Sequence, residues 1–155
     1  MAARVIHFGC DECYRIPVLK SAGYVVYEPQ TLDELSIDLL QNGPVDAVII
    51  SEDDRKITER AMVVAREHST APLVLFRRSS ADLNEILCDR VFSPGVRPEE
   101  WLPVTAELIA QCRQAREHSA GLREQSQQLR FDAKSVREQS SWQRARGQKL
   151  KRNAS

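Results

Sequence analysis

The sequence predicts an α/β protein: a small doubly wound sheet of five parallel strands, followed by an extended C-terminal helix. Three observations predict it. Short, near-continuous apolar runs recur through the first 112 residues, as strands buried on both faces require. Segments of helical periodicity separate them, and strands alternating with helices imply a parallel sheet with helices on both sides. After residue 112 the alternation stops and a seven-residue period begins.

The elements follow in order. RVIHF (4–8) is apolar enough for a buried strand, and YVVYE (24–28) follows a segment ending in SAGY. TLDELSIDLLQNG (31–43) opens on Thr31 with Glu34 three positions later, a capping-box spacing, and stops at Gly43. VDAVIIS (45–51) and PLVLF (72–76) are the clearest strands, β-branched or Leu-rich between polar residues. KITERAMVVAREHS (56–69) and SADLNEIL (80–87) read as helices, and DRVF (89–92) as a weaker fifth strand closed by Pro94. The last helix begins at Pro98-Glu99-Glu100, a composition suited to a first turn. Five strand–helix units are therefore expected in about 112 residues.

Charge divides the 155 residues in the same place. Residues 1–112 hold 11 Lys/Arg and 18 Asp/Glu, a formal charge of −7, and residues 113–155 hold 11 Lys/Arg and 4 acids, a charge of +7. The organisation read from the sequence is an acidic α/β domain, 1–112, and a basic helical tail with a heptad repeat, 113–155. The first apolar stretch, VIHF, is four residues long, and no window approaches a membrane span. The four cysteines, at 10, 13, 88 and 112, lack the dense spacing of disulfide-stapled secreted domains. A soluble cytoplasmic protein with no membrane contact is expected.

The order of these pieces resembles the CheY-like receiver domain of bacterial response regulators, from residue 3 to about 112. Arg15 and Leu19 ahead of AGYVV look like the first helix running into the second strand. DAVII ahead of Ser51 looks like the third strand, APLVLF like the fourth, and VFSPGVRPEEWL like the end of the fifth strand and the last helix. The resemblance implies a flavodoxin/CheY-like sheet. It also implies a pocket at the carboxyl ends of the strands, with an acid pair, a phosphoacceptor Asp, a Ser/Thr and a Lys. In a receiver the carboxylates hold Mg²⁺, which offsets charge on the incoming phosphoryl group.

Other residues occupy those positions here. Gly9 and Cys10 fall at the acid pair, with Asp11 and Glu12 just beyond, and Ser51 takes the phosphoacceptor place. Arg77 takes the hydroxyl place and Ser93, before Pro94, the place of the Lys. The first helix is about a turn short, and Pro17 within it lacks an N–H. A serine cannot form an aspartyl phosphate, so the resemblance implies a degenerate receiver, a pseudo-receiver without phosphorelay chemistry.

The stretch FGCDEC (8–13) admits other chemistry. A C-x-x-C after a strand also describes a thioredoxin-like redox site. Two full strand–helix units separate Cys13 from Pro72 where that family has one, and the acids between the cysteines would raise a thiol pKa. A zinc site would have to recruit Cys88, Cys112 or His7, none of which forms a second close pair. A cation site on Asp11 and Glu12 remains open, and so does the plainest reading, two small half-buried cysteines at a loop. No metal and no cofactor are expected.

In the tail, Arg116, Arg123, Arg130, Arg137 and Arg144 recur every seven residues. Leu108, Ala115, Leu122, Leu129, Val136, Gln143 and Leu150 form one column, and Cys112, Ser119, Ser126, Ala133, Ser140 and Gly147 the column four residues on. The seam is thin, and Gly121 and Gly147 each cost about 1 kcal/mol relative to Ala. A helix from 108 to 150 would span about 63 Å. Three uses are open: a weak coiled coil joining two copies into a homodimer, a mostly solvated helix, or an arm for nucleic acid. Against the last, Glu117, Glu124 and Glu138 follow three of the arginines, and Phe131 and Trp142 stand outside the seam.

No nucleophile, base and oxyanion set can be assembled and no phosphate-binding glycine loop is present, so no catalytic residue and no enzyme are expected. The function expected is a receiver-like signal-transduction module of two-component type that lacks the phosphorylation residues and acts on a protein partner of unknown identity. The alternative is a nucleic-acid-associated protein binding through its basic tail.

Overall fold

The computed structural model describes residues 2–79 and 82–153. Its elements are β1 (Arg4–Gly9), α1 (Arg15–Ser21), β2 (Val25–Tyr27), α2 (Leu32–Gln41), β3 (Ala47–Ser51), α3 (Arg55–His68), β4 (Leu73–Phe76), a 3₁₀ turn (Glu85–Leu87), β5 (Arg90–Phe92) and α4 (Pro98–Asn153). All strand pairings are parallel, in the order β2-β1-β3-β4-β5. This is the doubly wound five-stranded sheet with a long C-terminal helix that the alternation predicts. The chain divides into two compact units, Met1–Arg113 and Gln114–Ser155.

Period-2 alternation assigns the strand residues to two cores. Val5, Ala47, Ile49, Val74 and Phe76 face Leu19 of α1 and Trp101 and Ile109 of α4. Ile6, Phe8, Val48, Ile50, Leu73 and Leu75 face Leu35 and Leu39 of α2 and Ala61 and Met62 of α3. Each fully buried Leu or Ile contributes roughly 1.5–3 kcal/mol relative to exposure. Among the described residues no helix is long and apolar enough to cross a membrane.

Local signals start the helices as their physics requires. The Thr31 side chain accepts from Glu34 N at 3.1 Å, while the Glu34 carboxylate accepts from Gln30 N at 2.6 Å, one residue before the cap. Asp54 caps α3 by accepting from Ile57 N at 3.1 Å. Pro17 is accommodated because it lies in the first turn of α1, where its missing N–H has no intrahelical partner.

One expected helix is corrected. Of SADLNEIL (80–87), Ser80 and Ala81 lie outside the described residues, and the rest forms only the 3₁₀ turn Glu85–Leu87. Tertiary partners take the groups a helix would use. Leu83 is buried against the α2/α3 core, Arg77 pairs with Glu85, and Arg66 donates to the Leu87 carbonyl at 2.6 Å and to Asp89 at 2.6 Å. The crossover from β4 to β5 is therefore irregular, and the five strand–helix units reduce to four.

Candidate functional site

The same alternation that builds the α1/α4 core also ends it. His7 follows Val5 on that face of β1, and Ser51 follows Ala47 and Ile49 on β3. Ser51 pairs with Gly9 on one side and Phe76 on the other. At the carboxyl ends of the strands, the apolar columns therefore give way to a buried histidine, a buried serine and an aromatic ring.

A side chain from α1 completes the group. Arg15 is the first residue of α1, and Leu19, one turn later, is fully buried on the same face. Arg15 is 6% exposed; its Nη1 donates to Ser51 Oγ at 3.3 Å, and its guanidinium carbon lies 4.0 Å from the Phe76 ring centre. His7 Nε2 lies 2.9 Å from the same Ser51 oxygen. The Ser51 hydroxyl accepts from Arg15 and keeps its own hydrogen to donate to His7 Nε2 when the imidazole is neutral and protonated at Nδ1. Burial keeps it so: desolvation lowers the His7 pKa to about 4, with the Arg15 charge adding to the effect and Asp11 opposing it.

Arg15, Ser51 and Phe76, but not His7, border a cleft of about 80 Å³, also lined by Cys10, Glu12, Cys13, Glu52, Arg77, Arg78, Pro94 and Gly95. Glu52 is buried, and its carboxylate accepts from Arg78 N at 2.7 Å, Ser79 N at 3.1 Å and Ser79 Oγ at 2.5 Å. Burial pushes its pKa up, but these hydrogen bonds and the Arg77 charge together hold it below the usual carboxylate value. Arg77 pairs with Glu85, and the exposed Arg78 lies 3.1 Å from Glu12 and 3.8 Å from Asp53.

Of the residues named from sequence, Cys10, Glu12, Ser51 and Arg77 line the cleft. Gly9, Asp11 and Ser93 do not. Gly9 has φ +99°, and a Cβ there would stand 2.1 Å from the Ser51 carbonyl oxygen, so the position serves the close approach of β1 to β3. Asp11 accepts from Arg15 N at 2.7 Å and Ile16 N at 2.9 Å, capping α1 from outside. Ser93 is exposed, and Pro94 and Gly95 border the cleft in its place. The two acids of FGCDEC thus part company, one to a helix cap and the other to Arg78.

Cys10 and Cys13 are free and exposed. Cys88 lies against Met62, where burial raises its thiol pKa to about 11. Among the described residues no three His, Cys, Asp or Glu side chains gather to hold a metal ion. The sequence reading left His7, Arg15, Glu52 and Arg78 out of the site. Strand alternation marks His7 as inward-facing and the i,i+4 relation to Leu19 marks Arg15; the other two become cleft residues only through tertiary placement.

In the tail, Leu122, Leu129 and Val136 are exposed, at 53%, 69% and 60%, as are Arg123, Arg130, Arg137 and Arg144, with Arg116 partly so. Phe131 and Trp142 are exposed too. The side chains of Gly147 and Leu150 lie outside the described residues.

No protein-family model matches the chain. None of the curated proteins matches it either. Solved structures do. The chain is similar to the receiver domain of the TMAO respiratory response regulator TorR, at 15% identity and TM-score 0.59 over 70% of this chain and 98% of that one. It is similar to a CheY-like receiver domain protein from Methanospirillum hungatei JF-1, at 15% identity and TM-score 0.59 over 72% and 98%. It is also similar to an adenylate cyclase from Rhodopirellula baltica, at 13% identity and TM-score 0.66 over 79% and 98%. At these identities the likeness carries the fold alone. That fold is the CheY-like response-regulator receiver fold.

Proposed function

We propose that this protein is a receiver-like signal-transduction module of two-component type that takes no phosphoryl group and acts through protein–protein contact. The observation that carries the reading is the state of Ser51, at the carboxyl end of β3. The residue is 3% exposed, and its hydroxyl is engaged by His7 on one side and by the Arg15 guanidinium on the other. The Ser51–His7 pair has the spacing of a nucleophile and its base, but Arg15 stands on the attacking oxygen. Of the two acids of the β1–α1 loop, Asp11 is committed to capping α1 and Glu12 to Arg78.

Titration of the full chain with Mg²⁺ and beryllofluoride, followed by amide NMR, tests this. Beryllofluoride mimics an aspartyl phosphate where a carboxylate and a cation coincide. The expected result is no saturable shift near Ser51, Arg77 or Ser93. Saturable shifts requiring both additives would establish a working phosphoacceptor and sink the reading.

The interaction surface in this proposal is the tail seam, with a second copy of the chain as partner. Leu122, Leu129 and Val136 lie exposed at seven-residue spacing on a continuous helix. Light scattering is expected to give a dimer mass that falls to the monomer in a Leu122→Ser, Leu129→Ser, Val136→Ser triple variant. The second reading, nucleic-acid binding, is favoured by the exposed row Arg123, Arg130, Arg137 and Arg144. It predicts duplex binding that weakens steeply with salt and is lost when those four are replaced by Gln.

A further inference from the structure

We propose that the cleft over Ser51 is a binding site for a small oxyanion, held without a divalent cation by the open edge of Arg15. The inference rests on the reading that this pocket takes no covalent phosphoryl group.

Three half-buried arginines hold carboxylates, and Arg15, which is more deeply buried, differs from them. Arg66 has Asp89, Arg77 has Glu85 and Arg113 has Asp46. Among the described residues the Arg15 guanidinium pairs with no carboxylate; the less buried Arg4 shares this, its side chain resting on Tyr27. The Arg15 Nη1 is used on Ser51 and its face on Phe76; among the described residues Nε and Nη2 carry no hydrogen bond, and the side chain lines the cleft. Burying a guanidinium without a counter-ion is unfavourable unless something on its open side compensates. The Nε/Nη2 edge is the planar fork that binds an oxyanion through two parallel N–H···O bonds.

The surroundings favour an anion over a cation. Glu52 spends its oxygens on the 78–79 backbone and the Ser79 hydroxyl, and Glu12 reaches Arg78 at the rim. His7 is neutral, and among the described residues Arg15 is a cleft cation in no ion pair. Size limits the ligand further. A cleft of about 80 Å³ has room for one phosphate or carboxylate group against Arg15.

The test is a titration of the ¹⁵N-labelled full chain with inorganic phosphate at constant ionic strength and in EDTA, with acetate as a parallel arm. The Arg15 Nε–H resonance and the Cys10, Ser51 and Gly95 amides report binding. A saturable shift with a Kd on the order of 1 mM is expected, with a rise in unfolding midpoint of about 5 °C at tenfold Kd. Arg15→Lys keeps the charge but loses the fork, and is expected to weaken binding about tenfold. Arg15→Gln is expected to abolish it; should that variant fail to fold, the Arg15 Nε–H shift in the unaltered protein decides. Saturation by acetate and not by phosphate would support the site and assign it to a carboxylate group. No saturable shift with either anion, or a shift unchanged in Arg15→Gln, overturns the inference and leaves the proposed function standing. Phosphate-induced shifts that appear only when Mg²⁺ replaces EDTA overturn both.

Discussion

The two ends of β3 carry two arginines in opposite situations. Before its first residue, Asp46 accepts from Arg113 Nε at 2.9 Å and Nη2 at 2.8 Å, and from Arg4 N at 2.8 Å. After its last, Arg15 lies more deeply buried than Arg113 yet holds only a serine oxygen and a phenyl ring. The first arrangement is closed: a bidentate ion pair that ties α4 to the β1 and β3 backbones. The second is open, and it lies at the carboxyl ends of the strands, where doubly wound sheets bind ligands. Charge at one end of the sheet holds the fold together; at the other it is left available.

Removing the closed pair tests the contrast most strongly. Asp46→Ala removes the carboxylate that Arg113 and the Arg4 amide share, and is expected to lower stability by roughly 3 kcal/mol in urea unfolding, the low end for a buried pair because Arg113 is partly exposed. A loss under about 1 kcal/mol would mean that water replaces the carboxylate and that the two ends differ little.

Acid tests the open end almost as strongly. The folded His7 pKa, about 4, is depressed below its unfolded value of 6.5, so protons bind the unfolded chain first as pH falls. The stability in question is present above pH 6.5 and is lost between 6.5 and 4, by roughly 3 kcal/mol. Glu52, with its lowered pKa, contributes only at more acid pH. His7→Gln should flatten the profile between 6.5 and 4; an unchanged profile would place the acid sensitivity elsewhere.

Arg15→Met sharpens the comparison from the other side. The substitution keeps length and apolar stem and breaks no carboxylate pair, so the unfolding free energy is expected to change by less than about 1 kcal/mol. A loss comparable to that of Asp46→Ala would show Arg15 to be structural. The smallest effect is expected in the tail. Leu35 is fully buried under the sheet and Leu129 is 69% exposed. Leu129→Ala should leave unfolding of the sheet unit within about 0.5 kcal/mol while weakening self-association measured by light scattering.

The fold was legible because its signals are local. VDAVIIS and PLVLF read as strands from composition, and the Thr31 and Asp54 caps act within three residues of themselves. SADLNEIL misled because its helical pattern competes with distant groups, Arg66 and Arg77, that a window of eight residues does not contain. The site was half legible. Ser51, Cys10, Glu12 and Arg77 were placed by counting to strand ends, whereas Asp11 was taken for a pocket acid although the α1 backbone amides bind it first.

By itself the sequence determined the element order, the parallel sheet, the two-part charge and the heptad period of the tail. All of these follow from spacing along the chain, since strand and helix periods and cap offsets are short-range. Only the tertiary structure decided which polar residues share a pocket. Ser51 and His7, 44 residues apart in sequence, are brought together by the pairing of β1 with β3, and Arg15 is a charge paired with no described carboxylate only because of what the fold places around it. Electrostatic partnership depends on distance through space and on exclusion of water, and neither is written in the order of the residues.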